Sequence, residues 1–126
     1  MPRSLSNEQR AGIVARLRNN KASALLITFR EEDVEAANYA HDIAEAFNRG
    51  GWVVSGPVPV PGSPAAGVLL EVDDFSSPRP GSALLIDVLA AVGINARVTL
   101  VTYAGPTHYR LMIGADADYV PRPVAA

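Results

Sequence analysis

Apolar and polar positions along this chain spell out one arrangement twice. Leu25-Leu26-Ile27-Thr28-Phe29 is an apolar run, followed by an acidic turn, a stretch of helical periodicity to Phe47, Gly50-Gly51, and then Trp52-Val53-Val54. Val68-Leu69-Leu70-Glu71-Val72 opens the second copy, with an acidic turn at Asp73-Asp74, a helical stretch to Val92, Gly93, and then Ile94 through Val98. Gly51 and Gly93 stand 42 residues apart. Two strand–helix–strand units in tandem predict an α/β domain.

Local signals mark the ends of the elements. Ser6-Asn7-Glu8-Gln9 has the form of a capping box, so a short helix should follow to about Asn19 with Ile13, Val14 and Leu17 on one side. Asp33 is the expected N-cap of a helix over 34–49, whose stripe is Val34, Ala37, Ala40, Ile43, Ala44 and Phe47. The glycine pair at 50–51 should close that helix. Residues 56–67 are rich in proline and glycine and read as a loop. The second repeat helix should start at Ser77-Pro78 or at Ser82. Arg97–Tyr103 and Tyr109–Ile113 read as two strands around a five-residue hairpin loop, Ala104–His108.

This order predicts a tandem βαβ repeat forming a mixed, mostly parallel five-stranded sheet, with a C-terminal antiparallel hairpin and an N-terminal helix. Leu25–Phe29 is apolar on both pleat faces apart from Thr28. That favours a doubly wound form, with strands one and three side by side, helices on opposite faces, and Leu26 and Ile27 both buried. The alternative is a ferredoxin-like α+β fold with strands two and three as a hairpin and both helices on one face. The organisation expected is a basic N-terminal helix or linker over 1–21, one α/β domain over 22–115 and a frayed tail over 116–126.

Composition narrows the function classes. Apolar residues make up 48% of the chain and charged residues 19%, the balance of a folded globular domain. Cysteine is absent, which excludes disulfides, thiol nucleophiles and thiolate metal sites. The net charge of −2 is unevenly spread: Arg3, Arg10, Arg16, Arg18 and Lys21 face only Glu8 in the first 21 residues. A basic arm before an acidic body suits a membrane surface reached through Arg10, Arg16 and Arg18, and argues against extended nucleic-acid contact. The uncharged stretch Gly50–Leu70 holds Pro57, Pro59, Pro61 and Pro64, so no membrane span is expected, and no signal peptide is visible.

Candidate chemistry gathers after the first and third strands. In a doubly wound sheet, Arg30 and Asp33 would share a rim with Asp73, Asp74, Ser76, Ser77 and Arg79. Carboxylates brought together there could divide acid and base roles. Read locally, Asp33 and Ser77 are simply helix caps. A small anionic ligand or nucleotide would fit best where Ser76, Ser77, Arg79 and Ser82 surround the start of the second repeat helix. No glycine-rich phosphate loop is present. His41 and His108 read as isolated surface residues, and no cofactor is implied.

One resemblance covers residues 23–113. The apolar strand is followed by Glu32-Asp33-Val34-Glu35-Ala36, Tyr39-Ala40, Ile43-Ala44 and Gly51-Trp52-Val53-Val54. A proline-rich link leads to Gly67-Val68-Leu69-Leu70, then Ala91-Val92-Gly93-Ile94 and Met112-Ile113-Gly114. The pattern resembles the small soluble C-terminal α/β domain of bacterial membrane-anchored proteins of unknown function. The resemblance implies a tethered module, cytoplasmic or periplasmic, with the basic helix beside the membrane. It carries no catalytic residues. The function expected is a non-enzymatic sensing or oligomerisation module, cytoplasmic and membrane-associated. A small nucleotide- or nucleoside-directed enzyme and a homodimeric scaffold are the alternatives. The apolar helix from Leu84 to Val92, or the loop beside Trp52, is the expected homodimer interface.

Overall fold

A computed structural model describes residues 3–20, 23–61, 66–73, 80–101 and 109–115. Its elements are α1 (Asn7–Arg18), β1 (Ala24–Arg30), α2 (Val34–Arg49), β2 (Val53–Val60), β3 (Val68–Asp73), α3 (Pro80–Ala91), β4 (Ala96–Val101) and β5 (Tyr109–Ile113). The expected tail 116–126 and hairpin loop 104–108 lie outside the described residues. Among those that are described, no helix is long and apolar enough to cross a membrane.

The expected mixed, mostly parallel sheet is present, in the order β2-β1-β5-β3-β4. β1 runs parallel to both β2 and β5, β3 runs parallel to β4, and the antiparallel pair is β3 with β5. Two expectations change. β4 and β5 do not form a hairpin, because β3 lies between them. β1 and β3 are not neighbours either, because β5 separates them. The physical reason is burial. β5 carries Tyr109, Leu111, Met112 and Ile113, all buried, and such a strand belongs at the centre of a sheet.

The central insertion inverts the second βαβ unit relative to the first. The two units are then related by a half-turn about an axis normal to the sheet, near β5. Right-handed crossovers put both repeat helices on the same face under that relation. The core agrees: Leu25 and Ile27 of β1, Leu70 of β3 and Leu111 and Ile113 of β5 join Phe47 of α2 and Leu85 and Leu89 of α3 in one cluster. Leu26, on the opposite pleat face, is only partly buried, against the two-sided burial expected for β1. Among the described residues, helices cover one face of the sheet only, although Thr28 and Met112 on the other face are also buried. This is neither the doubly wound nor the ferredoxin-like topology.

α1 lies between the repeat helices and touches both. Its capping box is formed: Gln9 N donates to Ser6 Oγ at 3.1 Å, and Ser6 N donates to Gln9 Oε1 at 2.8 Å. Ile13 and Leu17 of α1 are fully buried in the core that the sheet, α2 and α3 share. The approach at Gly50 is close. A Cβ added there would lie 2.7 Å from Leu17 Cβ, so only glycine lets α1 and α2 meet.

Candidate functional site

Of the residues singled out in sequence, Arg30 and Asp33 do not share a rim with Asp73. Asp33 caps α2, its Oδ1 accepting from Ala36 N at 3.0 Å. Arg30 ends β1 beside it. Asp73 ends β3, and the register Phe29↔Ile113↔Val68 places the end of β1 level with the start of β3. Asp73 therefore lies at the opposite end of the sheet from Arg30 and Asp33, roughly one strand length, about 17 Å, away. The shared carboxylate rim required strands one and three to run the same way, and the inverted second unit removes it. Asp74, Ser76, Ser77 and Arg79 lie outside the described residues, and of Ser82 only its place in the first turn of α3 is described.

Of the basic residues near the N-terminus, Arg3, Arg10 and Arg18 are engaged with α2, while Arg16 donates to Gly12 O within α1. Arg3 Nη2 sits 2.6 Å from Glu35 Oε1, its Nε donates to Oε2 at 2.9 Å, and its Nη2 donates to Gly114 O at 2.5 Å. The guanidinium also stacks 4.8 Å above the ring of Tyr39. This fork of donors, opposed by partial burial, holds the Glu35 carboxyl below the ordinary glutamate range. Arg10 bridges Asp42 at 3.0 Å and Glu45 at 3.5 Å, and Arg18 Nε donates to Arg49 O at 3.2 Å. These arginines tie α1 to the acidic face of α2.

An open hollow of about 520 Å³ lies between α2 and β2, lined by His41, Glu45, Asn48, Arg49, Gly56 and Pro57. Its charges already pair with each other, Arg49 with Glu45 at 3.0 Å. His41 is exposed, as expected for an isolated surface histidine. Among the described residues, no group of three or more His, Asp or Glu could hold a metal. On the face without helices, Arg110 Nε donates to Glu71 Oε1 at 2.7 Å across β5 and β3.

The sheet edges show a sharper pattern. β2 forms one edge and β4 the other. β2 continues to Val60 through the segment expected to be a loop. Its prolines are tolerated because an edge strand pairs on one side only. The register slips from Leu26↔Ser55 to Thr28↔Val58, making a bulge at Gly56-Pro57. Gly56 has φ +92°, and an added Cβ would strike the carbonyl oxygen of Ile27. Val60 O accepts from Glu31 N and so faces inward. By strand alternation Pro59 presents its backbone outward, where it offers no donor.

β4 has no such guard. Ala96-Arg97-Val98-Thr99-Leu100-Val101 holds no proline, and its register with β3 is unbroken. Val98 and Leu100 align with Leu70 and Val72 and therefore point to the helix-bearing face. They are nevertheless 46% and 61% exposed, because α3 does not cover them. Ile86, on the helix packed against β4, is 40% exposed. Sequence reading missed Val98 and Leu100 by pairing β4 with β5. The available signal was a β-branched, proline-free run carrying a single charge.

Comparison with known protein families, with curated proteins and with solved structures found no match.

Proposed function

We propose that this domain is a non-enzymatic oligomerisation module that associates through the β4 edge. One observation carries the reading: core-face residues Val98 and Leu100 stand exposed on an unguarded edge strand. An edge of this kind templates pairing with another strand, and natural sheets normally blunt it with proline, charge or a bulge. β2 carries two prolines and a bulge, whereas β4 carries neither and only one charge, Arg97, so the difference is selective. The helix expected to lie in the interface contributes mainly Ile86, since Leu85, Val88 and Leu89 are buried within the domain. The resemblance to soluble domains of membrane-anchored bacterial proteins suits this role, because self-association of such domains would gather anchored chains in the cytoplasm.

Sedimentation of the chain over a wide concentration range tests the reading. Wild type should show reversible association, and Leu100→Lys should shift the equilibrium to monomer while leaving the circular dichroism spectrum unchanged. A wild-type chain that stays monomeric at the highest concentration would overturn it.

A further inference from the structure

We infer that the occupant of the β4 edge is the β4 strand of a second copy, paired antiparallel about a two-fold axis at Thr99. This rests on the association reading above and adds partner, symmetry and register to it.

A self-paired antiparallel strand obeys one rule: residue i faces residue C − i of the other copy, with C constant. Directly opposed residues share a face of the sheet. An odd C would set Val98 and Leu100 against Arg97, Thr99 or Val101, which point to the face without helices. The helix layers of the two copies would then lie on opposite faces, Val98 and Leu100 could not meet each other, and Val101 would be the one apolar residue of β4 left to oppose either of them. An even C keeps the helix layers of both copies on one face, and Val98 and Leu100 meet residues of their own kind.

Among even values one uses both exposed residues at once. With C = 198, Val98 opposes Leu100 of the second copy and Leu100 opposes its Val98, with Thr99 on Thr99 at the axis. Cross-strand aliphatic and Thr–Thr pairs of this kind are favourable. Four apolar side chains then form one stripe that prolongs the helix-bearing face across the junction. Arg97 falls opposite Val101, so the two Arg97 side chains are kept apart along the strand. Shifting by one pair leaves an exposed side chain against Ala96 in one direction. In the other direction it pushes Val98 beyond the end of β4. The result is a continuous ten-stranded sheet, built by the same half-turn normal to the sheet that relates the two βαβ units within one chain.

The absence of cysteine makes a clean test. Single cysteines are placed at 98, 99 and 100 on β4 and at 53 on the β2 edge, and disulfide formation under mild oxidation is followed with time. Thr99→Cys should crosslink fastest, because opposed Cβ atoms lie within disulfide reach of each other. Val98→Cys and Leu100→Cys meet their own kind only diagonally and should react on the order of tenfold slower. Val53→Cys should not crosslink above the rate of random collision. Thr99 is exposed, so its substitution leaves folding intact. Fastest crosslinking at 98 or 100, or rates at 99 no better than at 53, would overturn the register even if sedimentation shows association. Failure of association itself would remove both readings together.

Discussion

The two edge strands of this sheet come from equivalent places in an internal repeat, yet they meet solvent in opposite ways. β2 and β4 each close a βαβ unit and each pair in parallel with the strand that opened it. β2 leaves its ladder at Gly56-Pro57 and turns Pro59 outward. β4 keeps an unbroken ladder, and its core-face residues Val98 and Leu100 project beyond the cover of α3. β2 also exposes apolar side chains, Val53 and Val58 among them, so apolar exposure alone does not distinguish the edges. Backbone availability does. Strand addition needs a row of free donors and acceptors in register, and only β4 offers that row together with side chains to bury.

The largest effect should come from closing the open edge. Leu100→Lys removes a leucine twice from a two-fold interface and places an ammonium where apolar surface would be buried. Recovering the exposed part of each leucine is worth roughly 1–2 kcal/mol, so dimerisation should weaken by roughly 30- to 1,000-fold. The monomer's own stability should change by less than about 0.5 kcal/mol, since the residue is exposed there. Sedimentation and urea unfolding together read both quantities. A large loss of monomer stability would mean that Leu100 belongs to the internal core after all.

The guarded edge should answer in the opposite currency, losing stability without touching association. Gly56→Ala forces a left-handed backbone on alanine and drives its Cβ into the carbonyl of Ile27. The two costs together should come to about 2–4 kcal/mol, seen as a lower urea midpoint. Association measured under conditions where the variant remains folded should match wild type. Weakened association in the folded variant would show that the β2 edge takes part.

How far these features could be read beforehand depends on range. The capping box at Ser6 and the cap at Asp33 rest on contacts within a few residues, and each βαβ unit closes over a single helix, Ala24 pairing with Val53 and Val68 with Ala96, so all were legible. The place of β5 was not. The apolar residues of Tyr109–Ile113 suit a central strand, but they do not name its neighbours, because the pairing with β1 reaches across more than 80 residues to Leu26 and Ile27. The rim of Asp33 and Asp73 depended on that one unread pairing. Pro57 and Pro59 signal a loop in isolation and become strand residues only once β2 is known to be an edge. The exposure of Val98 and Leu100 is a matter of how far α3 reaches over the sheet, and no periodicity reports that distance.

A control remote from both edges comes from the N-terminal clasp. Glu35→Gln keeps the size of the side chain but breaks its pairing with Arg3, while Arg3 retains Gly114 O and Tyr39. The pair is partly solvated, so the cost at neutral pH should be about 1 kcal/mol. The sign with pH follows from the lowered carboxyl pKa in the folded state. Stabilisation is complete above the unfolded value of about 4.3 and is lost as pH falls through the folded value. Wild type and variant should therefore begin to converge in stability as pH falls below the unfolded value and meet below the folded one, measured by urea unfolding across a pH series. A gap that persists undiminished into acid would assign the loss to packing instead of charge. Association at neutral pH should be untouched.

The smallest effect is the most direct test of what guards β2. Pro59→Thr should leave folding stability within about 0.5 kcal/mol, since the residue is exposed at an edge and threonine favours extended backbone. It restores one outward N–H on that edge. In wild type any new association would be hidden by pairing through β4, so the substitution belongs in the Leu100→Lys background, where that route is closed. There it should recover weak, concentration-dependent self-association. The affinity should stay well below that of wild type, because the bulge at Gly56-Pro57 still confines pairing to a short segment. Light scattering and sedimentation of the double variant against Leu100→Lys alone provide the readout. If the two are indistinguishable, the bulge and not the proline keeps β2 apart from other chains.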